Sequence, residues 1–290
     1  MGRWLLKTLV FLLVAAGAVW ALRPLASDQY NRRLDARLVA QYARSADDMD
    51  PEAEADLLEQ CRTYNLWHRS YGIADPFTRP LTDANADELL DRLEAVDDSG
   101  ALCVLEIPKL GVALPVYRGV NAETLDKGAA FAEGSSLPVG GQKAHTVLAA
   151  RSGKGDGRRF GRLNRLKEGD LFDIRVMNEV IHYRVDRVEE CSPQRMGDIN
   201  QPGDDDCCTL VARVDNGARL LVRGRITEDR LTAENDAAAR VPEVALNAVL
   251  ALPALAAGGL LLLLIEGIVR ARGRYRLNRI KKRMNRIRRR

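Results

Sequence analysis

Between Gly100 and Thr227 the apolar residues come in short β-rich runs, and this pattern limits the fold more than any other feature of the chain. The runs are Leu102–Ile107, Ala113–Tyr117, His145–Ala149, Leu171–Val176, Ile181–Val188, Thr209–Val214 and Arg219–Ile226, separated by Gly, Pro and Asp turns. Short strands divided in this way point to a closed β-barrel. The preceding stretch, Asp28–Tyr71, contains no Gly and reads as helical with a break near Asp47–Pro51. There Asp50 can cap, Pro51 occupies the first helical position, and Glu52 and Glu54 complement the positive helix end.

Two long apolar runs flank this material. Trp4–Leu22 is apolar apart from Lys7 and follows Arg3. It fits a signal-anchor helix or the hydrophobic region of a cleaved signal peptide, with Ala16-Gly17-Ala18 as a cleavage site, and the anchor is preferred. Val244–Ile265 has Asn247 as its one strongly polar side chain, and it is long enough to cross a hydrocarbon core roughly 30 Å thick. The following tail, Arg270–Arg290, carries 12 Lys and Arg and no acid, which places it in the cytoplasm by the positive-inside rule.

Of the 44 basic residues, 12 lie in this tail and two are Arg3 and Lys7, leaving 30 against 39 of the 40 acids. The segment between the apolar runs therefore carries −9, and the basic whole-chain balance says little about its partners. Within the tail Leu277, Ile280, Met284 and Ile287 recur at helical spacing. A basic amphipathic helix suits an anionic inner leaflet, and this reading is preferred over nucleic-acid binding. Thr227–Pro242, polar and alanine-rich, reads as a linker. The predicted organisation is an anchor over 1–26, a helical preface over 27–99, a barrel over 100–227, a linker over 228–243, a transmembrane helix over 244–269 and a basic tail over 270–290.

The cysteines Cys61, Cys103, Cys191, Cys207 and Cys208 all fall in the external segment, and an odd number leaves at least one thiol unpaired within the chain. A bridge from Cys191 to Cys207 or Cys208 would close a plausible loop. Their spacing does not match a zinc site, because Cys207 and Cys208 are adjacent and His68, His145 and His182 are scattered. Gly153-Lys154-Gly155-Asp156-Gly157 lacks the ending of a phosphate loop. No metal and no cofactor are expected.

Thr209-Leu210-Val211-Ala212-Arg213 is followed after a short turn by Arg219-Leu220-Leu221-Val222-Arg223-Gly224, and upstream stands His145-Thr146-Val147-Leu148-Ala149-Ala150-Arg151-Ser152-Gly153. These segments resemble class C sortases, the pilus-assembling transpeptidases of Gram-positive cell surfaces, whose strands look like Thr-Leu-Val-Thr-Cys and His-Ser-Val-Leu-Thr-Gly-His-Arg-Gly. Leu105–Leu110, Leu114–Tyr117, Glu133–Gly141 and Leu166–Asp170 follow in family order, so the resemblance covers roughly Asp28–Thr227. It implies an eight-stranded barrel, and it puts Arg213 at the nucleophile position and Arg151 at the position of the catalytic histidine. Arg219 matches the arginine that steadies the oxyanion. Asp75-Pro76-Phe77 matches the lid motif of these enzymes, whose acid meets that arginine and whose ring covers the thiol.

Acyl transfer of the sortase type needs a thiolate, a proton donor for the leaving amine and a cation at the oxyanion. Arginine stays protonated and has no lone pair for attack or proton abstraction, so it cannot fill the first two roles. A displaced pair is the alternative, because His145 lies six residues before Arg151 and Cys207 six before Arg213, with Cys208 beside it. An even offset keeps the strand face, yet six residues span roughly 20 Å. Arg151, Arg213 and Arg219 are expected to converge on an anion, with Asp75 the first candidate. The chain is thus predicted to be a two-pass membrane protein with an external domain, a degenerate sortase that binds or regulates pilin or sorting-signal partners. An active transpeptidase with a displaced thiol and a structural membrane-organising protein are the alternatives.

Overall fold

Helix formation ahead of the barrel follows the capping signals. Helix α1 covers 33–47 and closes where Asp48 N–H bonds to Arg44 O and Met49 N–H to Ala46 O. Helix α2, Pro51–Trp67, starts on Pro51, carries Glu52 and Glu54 in its first turn, and makes its Glu54 N–H to Asp50 O bond at 2.9 Å. Helix α3, Asp87–Glu94, completes the helical preface expected over 27–99, whereas α4, Ala122–Lys127, escapes the sequence pattern. The latter has a reciprocal cap in which Asn121 and Thr124 satisfy each other's backbone N–H. The computed structural model describes residues 33–67, 75–77, 86–152, 159–199, 205–214 and 216–229, all inside one unit spanning Val19–Arg240.

Eight strands then close on themselves. They are β1 Cys103–Ile107, β2 Val112–Arg118, β3 Ala129–Phe131, β4 His145–Ala150, β5 Leu171–Val176, β6 Glu179–Cys191, β7 Cys207–Arg213 and β8 Arg219–Ile226. Around the barrel the order is β1-β2-β3-β4-β7-β8-β6-β5, parallel at β2·β3 and β4·β7 and antiparallel elsewhere. Seven of these match the sequence runs. The eighth, β3, is three residues long and was not predicted, since Ala-Ala-Phe is too short to show a period. A short helix, α5 Met196–Ile199, follows β6.

Alternation on the strands divides the side chains between two clusters. Leu105, Phe131, Phe172, Leu210, Ala212 and Val222 fill the barrel, and the core continues into Leu57, Cys61, Leu90 and Leu93 of the helices. Gly224 permits this filling, because a Cβ there would sit 2.5 Å from the Phe172 ring. Val147, Val211 and Leu221 instead face outward, where they pack with Ala132, Cys191 and Met196.

Polar latches join the helices to the barrel. The fully buried Tyr42 donates its hydroxyl proton to Leu102 O at 3.0 Å and accepts from Met177 N–H at 2.9 Å. Arg159 holds Asp35 at 3.0 Å while also donating to the Asp126 and Lys127 carbonyls at the end of α4. Asn65 makes three bonds to one loop, donating to Leu137 O and Gly140 O and accepting from Leu137 N–H. Among the described residues no helix is long and apolar enough to cross a membrane, and the predicted spans Trp4–Leu22 and Val244–Ile265 lie outside them, as do the linker and the basic tail.

Two tests follow from these latches. Asn65→Ala leaves a buried amide and two carbonyls without their partner, so urea unfolding is expected to show a loss of about 2 to 4 kcal/mol; a loss below about 0.5 kcal/mol, the range of an uninvolved surface substitution, would remove Asn65 from the docking of α2. Asp206 accepts from Gly141 N–H at 2.8 Å and from the Tyr183 hydroxyl at 3.1 Å. Burial pushes its carboxyl up to about 6, against the pull of those bonds and of Arg62. The folded chain therefore keeps a proton that the unfolded chain has lost, and stability from this group falls as pH rises from about 4 through 6. Urea midpoints measured across that window are expected to show a smaller fall for Asp206→Asn than for the wild type; an unchanged slope would contradict the assignment.

Candidate active-site groove

The hairpin between β7 and β8 sets the site. Val214 N–H bonds to Ala218 O, Gly217 N–H to Val214 O, and Gly217 takes φ 84°, a left-handed turn conformation that glycine adopts without steric cost. Arg213 and Arg219 consequently stand directly opposite each other at the mouth of the hairpin. Opposed residues on antiparallel strands project from the same face. That face is the outward one, because Val211 and Leu221, two residues further along each strand, lie in the outward cluster.

Arg219 is 3% exposed and its guanidinium is engaged on every nitrogen. Nε donates to Asp75 Oδ1 at 2.9 Å and Nη2 to Asp75 Oδ2 at 2.6 Å, while Nη1 donates to Gly217 O at 3.0 Å and Ala218 O at 3.3 Å. Parallel bonds of this kind are the strong, geometrically specific form of the arginine–carboxylate pair. Asp75 is equally buried, and its Oδ1 also accepts from Phe77 N–H at 3.3 Å. The Phe77 ring lies 5.1 Å from Cζ of Arg219 and 5.3 Å from Cζ of the exposed Arg213, within cation–π range of both. Its edge packs on the outward apolar cluster. The Asp75-Pro76-Phe77 segment therefore sits over the two arginines, 144 residues away in sequence at the ion pair.

The third arginine has an acid of its own. Arg151 was expected to converge with Arg213 and Arg219, but its Nη2 pairs with Asp126 Oδ1 at 3.0 Å and approaches Ala122 O at 3.4 Å. The physical reason is local: α4 offers a carboxylate beside the end of β4, whereas the groove already holds two guanidiniums for one acid. The backbone at this end remains tied to the hairpin, since the Ser152 hydroxyl donates to Arg213 O and Phe160 N–H bonds to Arg151 O at 2.8 Å.

The displaced pair His145 and Cys207 proves to be adjacent across β4·β7, with Thr146 opposite Cys208. His145 is buried with Nε2 2.8 Å from Thr209 Oγ1. This pair stands at the far end of the hairpin, however, because Cys207 is opposite Arg225 while Arg213 is opposite Arg219. Burial pushes the Cys207 thiol up to about 12 and that of Cys208 well above its ordinary value, which disfavours the thiolate that attack requires.

All five cysteines are free, so the suggested bridge from Cys191 to Cys207 or Cys208 is absent. The register explains this: Cys191 faces Arg219 across β6·β8, at the opposite end of β8 from Arg225, which faces Cys207. Cys191 is thus the thiol beside Arg219, on the strand flanking it opposite Arg213, and it belongs to the outward cluster against which Phe77 packs. Burial raises its thiol first and Glu189 next, Arg195 and Arg219 pull the other way, and Asp75 adds to the rise. Sequence reasoning missed this neighbour, since nothing short of the β6·β8 register reveals it. Among the described residues no cluster of His, Cys, Asp or Glu is arranged to hold a metal ion.

With a buried guanidinium, an exposed one and an aromatic ring within about 5 Å of both, the groove is equipped to bind a carboxylate or phosphate. Among the described residues it has no histidine within it to carry a proton. The sortase domain model matches residues 105–227. Among solved structures, sortase C of Streptococcus pneumoniae is 27% identical over 68% of this chain and 99% of its own length, with a TM-score of 0.59. A pilus-related sortase C of Group B Streptococcus is 31% identical over 65% and 96%, with a TM-score of 0.57. Sortase C-1 of Actinomyces oris is 29% identical over 62% and 100%, with a TM-score of 0.55. No curated protein sequence matches the chain. The barrel order, the family model over its strands and the near-complete coverage of these sortase C structures lead to one assignment: the chain belongs to the sortase family, alongside its pilin-type, class C members.

Proposed function

We propose that this chain is a catalytically degenerate class C sortase, held in the cell membrane with its barrel outside, that binds or regulates pilin or sorting-signal partners through an anion-recognising groove. The observation that carries the reading is the Asp75–Arg219 pair with the Phe77 ring in reach of both Arg219 and Arg213. In this reading Asp75-Pro76-Phe77 is a lid, and the ring covers a guanidinium where active relatives by resemblance place a thiol. Arg213 cannot attack a carbonyl and Arg151 cannot donate a proton to a leaving amine. Binding remains available to the groove, because Arg213 and Arg219 can exchange the lid carboxylate for one from a partner. Pilin is the partner class suggested by the pilus-related relative.

Membrane attachment in this proposal rests on the two apolar runs and the tail of 12 basic residues, which adds attraction to anionic inner-leaflet lipids. A second reading has one specific observation in its favour, the Cys191 thiol in register with Arg219. An active transpeptidase would then use Cys191 rather than Cys207 or Cys208, and it would need the lid to leave before the thiol met substrate.

Incubation of the full chain with a sorting-signal peptide is expected to give neither cleavage nor a thioacyl adduct by mass analysis, and Cys191→Ser and the Cys207→Ser, Cys208→Ser double variant are expected to behave like the wild type. An adduct mapped to Cys191 would replace the degenerate reading with the transpeptidase one. For topology, protease added to protoplasts is expected to digest the barrel and spare Arg270–Arg290; digestion of the tail with the barrel intact would reverse the orientation.

A further inference from the structure

The ion pair and the ring contact also describe what the groove selects. Asp75 and Phe77 meet the groove through two groups two residues apart, a carboxylate on Arg219 and a ring within reach of two guanidiniums. The segment is internally ordered as well, since Asp75 Oδ1 accepts from Phe77 N–H and Pro76 fixes the backbone between them. A three-residue unit that carries its own turn can present the same surface from another chain.

We propose, building on the anion-groove reading, that the partner recognised here is a peptide segment of another protein with an acidic residue two positions before an aromatic one, which replaces Asp75-Pro76-Phe77 in trans. Arg219 supplies the bidentate seat for the acid, and Asp75 shows which of its nitrogens are used. The aromatic ring takes the place of Phe77 within reach of Arg213 and Arg219 and against the outward apolar cluster that includes Val211 and Leu221. Charge complementarity argues for this occupant: an apolar peptide would leave Arg219 buried without its carboxylate, and an acid without a ring would leave the apolar floor open to water. The exposed Arg213 contributes to ring and acid at the rim and so tunes affinity, whereas Arg219 decides whether binding occurs.

The test uses the full chain in detergent with Asp75→Ala and Phe77→Ala combined, and a fluorescent peptide of the sequence Ile-Ala-Asp-Pro-Phe-Thr, the chain's own 73–78. The double variant is expected to bind this peptide at least about tenfold more tightly than the wild type, whose own segment competes. Replacing the peptide's Asp by Asn, or its Phe by Ala, is expected to cost about tenfold or more. Bound peptide is also expected to slow alkylation of Cys191, mapped by mass analysis, in the double variant. Equal binding by wild type and double variant, or undiminished binding of the Asn peptide, overturns the proposal.

Inorganic phosphate separates the two levels. If it raises the melting temperature of the double variant, and no longer does so when Arg213→Ala is added, while the peptide fails to bind, the anion groove stands and the acid-aromatic partner falls. If neither phosphate nor peptide acts, both fall. Concentration-dependent dimerisation of the wild type, abolished by the double variant, would identify a second copy as the donor of the segment and overturn the assignment to another protein. Should the double variant lose its fold by circular dichroism, Asp75→Asn alone serves, since it retains size and ring and is expected to give the same order of peptide affinities.

Discussion

A charge buried at 3% exposure must be paired, and the pairing of Arg219 organises the groove. Its Nη1 is held by the hairpin's own carbonyls and its Nε and Nη2 by Asp75, so the hairpin, the lid segment and the groove are fixed by one guanidinium. Removing one partner of such a pair leaves an uncompensated charge, a cost of about 3 to 5 kcal/mol in comparable buried pairs. The same figure bounds any ligand that replaces Asp75. A carboxylate or phosphate replaces it best, because a neutral acceptor can bond the same nitrogens but leaves the buried positive charge uncompensated. Phe77 adds a second condition by packing on the outward apolar cluster, which a bare anion would leave to water.

Substitution of Arg213 alters this balance without disturbing the barrel. The side chain projects from the outward face at the last residue of β7, where it is exposed and touches no part of the barrel core. An arginine at that point adds positive charge to the groove and a face for the ring. Arg151 behaves differently, since an acid lies within reach on α4 and draws it away. Two arginines in one groove share a ring, and one of them holds the carboxylate; a third has its own acid 3.0 Å away. Local pairing therefore decides how many cations remain at the site.

Much of the barrel was legible because strand period and turn chemistry are local properties. Seven strands, the start of α2 and the break at 48–50 follow from alternation, Gly and Pro positions and capping residues. What escaped was short or non-local: β3 with three residues, α4 with six, and the order that carries the chain from β4 to β7 through a parallel pair. The Asp75–Arg219 contact lies in between. Its residues were named through family resemblance, yet a separation of 144 residues cannot be bridged by any pattern within the sequence.

Cys191 shows most clearly what pairing adds to sequence. Five cysteines in one chain look alike, but their chemistry diverges with position in the barrel. Cys208 points into the core beside Leu210 and Ala212, and Cys207 lies under the Asp206 and Arg225 end of the hairpin. Both are driven away from ionisation mainly by burial. Cys191 instead ends a 13-residue strand whose length carries it past the bulge at Val185–Arg187 to meet the first residue of β8. Without that bulge the register would shift by one residue and turn the thiol to the other face, away from Arg219. The bulge in β6, far from any motif, is thus what puts a thiol, two guanidiniums and a covering ring on the same face of the sheet.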